Sequence, residues 1–345
     1  MKNWRTLNNP EAFQGNIRKK AYFEGWYNKI VDCKNESILA FIPTIALNKK
    51  TRDSHAAIQF FNGLEFQYYY FKYPLDEFEN FSKTTYDIRI GNNYFNRSGI
   101  SIDINKDGQE ISGNIEYKDL INWPKKIAVP GAMGWLTYLP LLETYHGIVS
   151  MNHTLKGSLN LNGRNLNFND GKGYIEKDWG KSFPIAWIWM QSNHFSDINL
   201  SFMCSIARIP FLKTEVMGLL SVLWLNGKIY KFTSYTGAKI AFLKIKTRGI
   251  RIVLKDKRYI LDIDALQGKT VDMKAPSSGN MSAHCMESLN SSLGLKVYKR
   301  QKNNRYLKIL DDLGTNSGLE IMVNEYFDRD WRKNQNYYKK TKANF

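Results

Sequence analysis

The chain has 345 residues, of which 43% are hydrophobic and 14% aromatic, and its formal charge is +17. This much apolar surface excludes an intrinsically disordered chain, and three widely spaced cysteines exclude a disulfide framework. The basic excess attracts anionic surfaces in general. No nucleic-acid-binding motif accompanies it, so nucleic acid is not expected as a partner.

The first predicted strand, AYFEGWYNKI at residues 21–30, sets a single carboxylate among apolar residues. Successive side chains of a strand point to opposite faces, so Glu24 and Trp26 share one face and Tyr27 lies on the other. Gly25 indicates a bulge or a close approach of another group to the backbone. We predict that this strand contributes to a ligand-binding pocket.

Turn dipeptides between segments of alternating polarity predict antiparallel hairpins along the whole chain. The clearest are Asp107-Gly108, Asn162-Gly163 and Asn226-Gly227. No segment supports a helix longer than two turns, because Gly, Pro and β-branched residues interrupt each candidate. The chain is therefore predicted to be all-β. Roughly eighteen strands would overfill one small barrel, so we predict two successive antiparallel β-barrel domains, at residues 1–165 and 166–345.

Two segments stand apart from this strand pattern. Residues 119–144 are rich in Pro, Gly and Trp, and we predict a long apolar loop or lid that could also dock on an anionic membrane surface. The tail RKNQNYYKKTKANF is predicted to be a solvated basic end. The longest apolar stretch is too interrupted to span a membrane. The start of the chain lacks the pattern of a secretory signal, so we expect a cytoplasmic location.

The segment GYIEKDWG carries the candidate chemistry, because its alternation puts Tyr174, Glu176 and Asp178 on one face. Two carboxylates two residues apart on a strand are about 7 Å apart. Buried together, they raise each other's pKa, and a carboxyl group that stays protonated can act as a general acid. We predict Asp178 and Glu176 as catalytic residues. The alternative is an ion-paired strand end in which Lys177 or Lys181 neutralises the acids.

The segment AWIWMQSNHF puts two tryptophans and two amides on one strand face, which is typical of an apolar pocket wall with a few hydrogen-bonding side chains. Aromatic faces also stabilise cations. The alternative is that these tryptophans belong to an ordinary core. The predicted substrate-binding residues of the whole chain are Glu24, Trp26, Tyr27, Tyr174, Trp179, Trp187, Trp189, Gln191, Asn193 and His194.

Other chemistries find little support in the sequence. The five histidines match no metal-binding spacing, so we predict no metal site. Neither a phosphate-cradling glycine loop nor a nucleophile elbow is present, which argues against nucleotide cofactors and serine-type hydrolysis. After these exclusions, we predict acid–base chemistry in an apolar cavity, without a cofactor.

Several motifs in order along the chain resemble those of the tocopherol cyclase family. They include NPEAFQGN, YFEGWYNKI, SHAAIQFF and GKGYIEKDWGKSFP, and the resemblance extends from residue 9 to about 321. It implies a pair of lipocalin-like β-barrel domains. It also implies a reaction without metal or redox cofactor, in which a prenyl double bond is protonated and a phenol oxygen attacks the tertiary cation.

The resemblance also implies roles for individual residues. It implies that Asp178 or Glu176 delivers the proton and that Trp179, Trp187 and Trp189 shelter the cation. The wider superfamily resembles barrels that hydrate, cyclise or only bind isoprenoid-like molecules. A non-catalytic binding protein for a hydrophobic small molecule is therefore the alternative function, and a lipophilic small molecule is the expected partner in both cases.

Overall fold

The structure is a computed structural model, and it describes residues 4–125, 129–139, 142–211, 214–303 and 305–323. The chain divides into two compact units. The first comprises Met1–Phe183 with Val271–Cys285, and the second comprises Pro184–Thr270 with Met286–Phe345. The helices are short: α1 (Trp4–Leu7) and the 3-10 segments Leu75–Glu77, Gly134–Tyr138 and Ser234–Thr236. The all-β prediction is confirmed.

Twelve antiparallel strands form the first sheet. In chain order they are β1 (Ala21–Val31), β2 (Ile38–Asn48), β3 (His55–Asn62), β4 (Gln67–Tyr73), β5 (Phe78–Asn80), β6 (Asp87–Ile90), β7 (Asn93–Asn96), β8 (Gly99–Lys106), β9 (Gln109–Lys118), β10 (Thr144–Leu161), β11 (Arg164–Asn167) and β12 (Lys172–Gly180). Their order in the sheet is β4-β3-β2-β1-β12-β10-β9-β8-β7-β6-β5, with β11 paired to β10.

Ten strands form the second sheet. They are β13 (Ala186–Ser192), β14 (Leu200–Phe211), β15 (Thr214–Leu225), β16 (Lys228–Thr233), β17 (Lys239–Lys246), β18 (Gly249–Lys255), β19 (Tyr259–Leu266), β20 (Val271–Ser277), β21 (Asn280–Arg300) and β22 (Tyr306–Met322). Their order is β16-β15-β14-β13-β22-β21-β19-β18-β17, with β20 paired to β21.

The predicted hairpin turns are present. Asp107-Gly108 joins β8 to β9, Asn162-Gly163 joins β10 to β11, and Asn226-Gly227 joins β15 to β16. All six residues have positive φ angles, as two-residue turns whose twist matches the flanking strands require. These turns fix the strand register, and the register decides which side chains share a face.

Each unit has its own apolar core, built from alternate residues of its strands. In the first unit the hydrogen-bonded path of strands ends at β4 and β5, so the described strands form two antiparallel sheets without a closed ladder. Strands near the two ends of the first sheet nevertheless approach each other, since Asn93 Nδ2 on β7 lies 3.4 Å from the hydroxyl of Tyr73 on β4. Their core residues therefore belong to one cluster.

The boundary between the units differs from the predicted boundary at 165/166. Strand β12 is hydrogen-bonded between β1 and β10, which extends the first unit to Phe183. The segment Val271–Cys285 also belongs to the first unit. There Asn48 Nδ2 donates to the carbonyl oxygen of Ser278 at 2.9 Å. The alternation of residues within a strand does not reveal which distant strand lies beside it, so the sequence could not place this boundary.

The predicted loop at 119–144 contains no named strand at its described residues 119–125, 129–139 and 142–143, and β10 begins at its last residue, Thr144. Trp135 is 53% exposed, whereas Trp123 is buried. The predicted basic tail lies outside the described residues. Within the described part of the chain, no helix has the length and apolar character needed to cross a membrane.

Candidate functional site

The candidate site is built around β12, which lies between β1 and β10. The register pairs Asp178 with Gly25 on one side and with His146 on the other. Paired residues of an antiparallel ladder point to the same face, so these positions form a row across three strands. We call the face that carries this row the outer face, and the face that carries the core the inner face.

The predicted alternation along β12 is confirmed. Ile175 and Trp179 belong to the core cluster of the inner face, and Lys177 lies between them with no exposed surface. Glu176 and Asp178 therefore point to the outer face. The charged residues of β12 therefore lie on two different faces, with Lys177 on the inner face and the two carboxylates on the outer face.

On the inner face, Lys177 forms a buried ion pair. Its Nζ lies 2.5 Å from Glu24 Oε1, and neither side chain is exposed. Glu24 also accepts a hydrogen bond from the Tyr22 hydroxyl, and the backbone N–H of Gln14 donates to its two oxygens at 2.8 and 3.0 Å. Burial lowers the pKa of Lys177, and the charge of Glu24 opposes this shift. These partners offset the cost of burying both charges.

The segment 8–14, which we call the N-terminal strap, completes the surroundings of Lys177. The ammonium group donates to the carbonyl oxygen of Pro10 at 2.7 Å and to that of Ala12. The strap is held in place by Glu11, whose carboxylate lies 2.5 Å from Arg97 and 2.8 Å from Lys125. The motif NPEAFQGN therefore has a structural role in the first unit, since it supplies oxygen atoms to a buried cation.

Two tryptophans flank the same ammonium group. Lys177 Nζ lies 4.9 Å from the ring centroid of Trp26 and 4.7 Å from that of Trp179, within the range of cation–π attraction. Glu24, Trp26 and Trp179 were predicted to bind substrate. The structure places them around Lys177, on the face opposite to Glu176 and Asp178.

On the outer face, His146 connects the two predicted catalytic carboxylates. Its Nδ1 lies 2.9 Å from Asp178 Oδ1, and its Nε2 lies 3.5 Å from Glu176 Oε2. The hydroxyl of Tyr174 donates to Glu176 Oε2 at 2.7 Å. Burial and the nearby charge of Glu176 raise the pKa of Tyr174 well above its ordinary value. This hydroxyl therefore stays protonated and remains a donor to the carboxylate.

The alternative expectation, that a lysine neutralises these acids, does not match the structure. Lys177 points to the inner face, and Lys181 Nζ lies 3.3 Å from Glu143. The base beside Asp178 and Glu176 is an imidazole. An imidazole between two carboxylates offers both a hydrogen-bond donor and an acceptor to them.

The members of the cluster differ in exposure, and His146 is 13% exposed. The side chain of Asp178 is 28% exposed, whereas that of Glu176 is 5% exposed. Beyond its first residue, β12 is buried except at Asp178, and β1 is buried except at Gly25. The partly exposed positions of the two strands therefore lie directly opposite each other, and a molecule that reaches this row meets Asp178 before Glu176.

The same cluster has ligand atoms suited to a cation. One ligand atom each from His146, Glu176 and Asp178 lies within 4.8 Å of the others, and imidazole with carboxylates suits several divalent metals. The sequence did not reveal this grouping, because its members come from two strands. The contact of each carboxylate with a different ring nitrogen is the arrangement expected of a proton-sharing cluster.

The remaining predicted residues lie in the second unit, at β13 and just after it. Ala186, Ile188 and Met190 belong to the core of that unit, so Trp187, Trp189 and Gln191 point to the opposite face, as predicted. All three are buried. The indole N–H of Trp187 donates to Glu320 on β22.

The two residues after β13 mark its end. The carbonyl oxygen of His194 accepts a hydrogen bond from the backbone N–H of Thr315 at 2.8 Å. His194 Nδ1 lies 2.9 Å from the side-chain oxygen of Asn193. The backbone of His194 thus contacts β22 of the same unit just beyond the end of β13.

The structure thus brings together Tyr174, Glu176 and Asp178, with Tyr27 directly opposite Glu176 in the β1–β12 ladder. It adds His146, which sequence reasoning did not include in the site. The only signal was a histidine in the alternating segment TYHGIV, because its place beside Asp178 depends on the β10–β12 register.

Solved structures of low sequence identity resemble the fold of this chain. The protein is all-β, with two successive antiparallel sheets, and the structure of CghA with Sch210972 shares this fold with a TM-score of 0.52. That match covers 88% of this chain and 89% of CghA at 10% sequence identity, so it shows the fold alone. Kievitone hydratase from Nectria haematococca matches with a TM-score of 0.49 at 13% identity, covering 94% of this chain and 93% of that one.

Sequence comparison gives the family. The family described as tocopherol cyclase-like matches residues 98–322, and the chain belongs to it. The "Tocopherol cyclase, chloroplastic" of Zea mays is 23% identical over 203 residues, which are 56% of this chain and 42% of that protein. The "Probable tocopherol cyclase, chloroplastic" of Oryza sativa subsp. japonica is 24% identical over 202 residues, 56% of this chain and 43% of that protein. The matched region spans less than half the length of either relative.

Proposed function

We propose that the protein protonates a carbon–carbon double bond of a lipophilic, prenylated substrate, and that a phenol or water oxygen then attacks the resulting cation. The product is a cyclic ether or a hydrate. The observation that carries this proposal is the cluster of His146, Glu176 and Asp178, in which Asp178 is the most exposed member and Glu176 is buried. Membership of the tocopherol cyclase-like family supports the same class of reaction.

Each residue of the cluster has a different role in the proposed reaction. Asp178 has the more exposed carboxyl group and is the acid that reaches the substrate. His146 holds the proton reservoir through its contact with Asp178 at 2.9 Å. Glu176 lies against the other nitrogen of the ring and is itself fixed by the Tyr174 hydroxyl. A base that is oriented by a third group is the usual arrangement for directed proton transfer.

The reaction balances without an oxidant or reductant. The π electrons of the double bond form a C–H bond with the proton of Asp178, which leaves a tertiary carbocation on the substrate and a carboxylate on the protein. The oxygen of the phenol or water forms a C–O bond with the cation and loses its proton, and that proton restores Asp178 through His146. The acid is regenerated in each cycle.

The surroundings fit a reaction that passes through a cation. Tyr27 lies directly opposite Glu176 in the ladder and is buried on the same face. An aromatic ring stabilises a carbocation electrostatically, and exclusion of water favours capture by the intended oxygen. Trp187, Trp189, Gln191, Asn193 and His194 remain proposals as ligand-binding residues of the second unit, to be tested by binding of the same substrate.

The proposal is tested by comparing two aspartate variants with a prenylated hydroquinone as substrate and mass spectrometry of the products. Asp178→Asn keeps the shape and removes the acidic proton, and a loss of turnover of at least about a hundredfold is expected, since general acid catalysis contributes about 10²–10⁴. Asp272→Asn is the matched control. Asp272 Oδ1 also lies 2.9 Å from a histidine, His284, but on an exposed surface.

Two outcomes would contradict the proposal. Asp178→Asn with the turnover of the control would remove Asp178 from the chemistry. A wild-type protein that binds the prenylated hydroquinone without converting it would instead support the alternative function, a binding protein for hydrophobic small molecules.

A further inference from the structure

We infer that Gly25 and Ile42 form the surface on which the alkene end of the substrate lies, and that the missing side chain at Gly25 sets the size limit of the site. The inference rests on the proposed function and deepens it, because it specifies the part of the substrate that contacts the protein next to the acid. It follows from the register and burial of four neighbouring strands.

The first observation is an alignment of partly exposed residues across a buried face. Strand β2 is buried except at Ile42, and β1 beyond its first residue is buried except at Gly25. On β12 and β10 the partly exposed positions nearest to Gly25 are Asp178 and His146. Gly25 pairs with Asp178, and Asp178 pairs with His146. The partly exposed positions of this face therefore run from Ile42 over Gly25 to Asp178 and His146.

The second observation is the close packing around the glycine. A Cβ atom built at Gly25 would lie 3.2 Å from Thr44 Oγ1, which is tighter than an ordinary contact, and 3.5 Å from Ile42 Cγ2, so a side chain here would have to displace its neighbours. Gly25 is not among the glycines with positive φ, so its backbone does not require glycine. The residue leaves bare backbone directly opposite Asp178, at about 4.5–5.5 Å between Cα atoms. A carbon atom resting on this backbone is within reach of the carboxyl group.

The third observation concerns polarity. The hydroxyl of Thr44 beside Gly25 donates to the carbonyl oxygen of Ile42 at 3.0 Å, and Gln59 Nε2 donates to that hydroxyl at 3.4 Å. The polar atoms of Thr44 are thus engaged within the sheet. A hydrogen-bonding group of a ligand gains little here, while methyl groups pack against Ile42. The surface fits a branched hydrocarbon end, which is the part of a prenyl chain that yields a tertiary cation.

The inference is tested with Gly25→Ala and Gly25→Val, which place side chains of increasing size over this backbone. The specificity constant, kcat/KM, for a prenylated hydroquinone is expected to fall about tenfold in the alanine variant and at least about a hundredfold in the valine variant. Gly294→Ala is the matched control, since Gly294 is also a strand glycine without positive φ, and its added Cβ would make only ordinary contacts. Circular dichroism checks that each variant folds.

A second measurement separates this inference from the proposed function. Diethyl pyrocarbonate modifies accessible imidazoles, and the modified sites are located by mass spectrometry. A hydroquinone with a fully saturated side chain, which cannot react, is expected to protect His146 in the wild type but not in Gly25→Val. Equal modification of the exposed His284 shows that all samples received the same amount of reagent. Absence of modification at the buried His153 shows that the fold is intact.

The outcomes are distinguishable. Turnover of Gly25→Val equal to that of the wild type overturns the inference while leaving the proposed function standing. Protection of His146 without any wild-type turnover overturns the proposed function but supports the binding surface, provided that Gly25→Val abolishes the protection. Absence of protection in the wild type overturns the inference.

Discussion

Substituting Glu24 by glutamine removes one charge of the buried pair while preserving the shape of the side chain. Lys177 then keeps two carbonyl oxygens and two aromatic rings, but it loses the carboxylate at 2.5 Å. Because neither residue is exposed, water cannot replace the lost partner. Removal of one partner of a buried pair costs about 3–5 kcal/mol, so we expect the free energy of unfolding of the first unit to fall by about that amount.

The assay is urea-induced unfolding, with hydrogen exchange of peptides from β1 and β12 to identify the transition of the first unit. The double variant Glu24→Gln, Lys177→Met is expected to lose less stability than the sum of the single variants, because it leaves no unpaired buried charge. Asp264→Asn is the control, since its partner Lys246 is exposed and such pairs contribute below about 1 kcal/mol. A loss for Glu24→Gln no greater than that of the control would refute the reasoning.

Three further predictions concern stability. Burial lowers the pKa of His153 to about 3, so the stability present above its unfolded pKa of about 6.5 is lost as pH falls towards 3, at about 1.4 kcal/mol per pH unit. The variant His153→Gln should flatten this part of the plot of unfolding free energy against pH, measured with urea. An unchanged plot would contradict the burial of a neutral imidazole. Trp189→Ala is expected to destabilise the second unit by about 3–5 kcal/mol, measured by the same unfolding assay, and a loss below about 1 kcal/mol would show that its burial contributes little. Deletion of residues 1–15 removes the carbonyl partners of Lys177 and should abolish the protection of β12 from hydrogen exchange; retained protection would mean that the N-terminal strap is dispensable.

Much of the fold follows from local sequence features. Alternating polarity and turn dipeptides such as Asn162-Gly163 predict the hairpins, and the structure has them with the required positive φ angles. The same alternation predicts the faces of β12 correctly, with Lys177 on one side and Asp178 on the other. These features are predictable because a strand has a period of two and its turns need particular residues.

The pairing of distant strands was not predictable in this way. His146 reaches Asp178 only because β10 and β12 are neighbours in a particular register, and Glu24 meets Lys177 only because β1 is the other neighbour of β12. Nothing local in either segment specifies these partners. For the same physical reason the predicted unit boundary fell before β12, and the predicted binding residues were divided between two faces and two units.

The central claim is that Asp178 gives a proton to a carbon atom of the substrate, and solvent deuterium follows that proton directly. The measurement is incubation of the protein with a prenylated hydroquinone in D₂O, followed by mass spectrometry and NMR of the product after back-exchange of its hydroxyl groups in H₂O. The account predicts one deuterium retained on the former alkene carbon, formed by the wild type and by Asp272→Asn but not by Asp178→Asn. A product that carries no carbon-bound deuterium, or deuterium that is incorporated equally by Asp178→Asn, would contradict it.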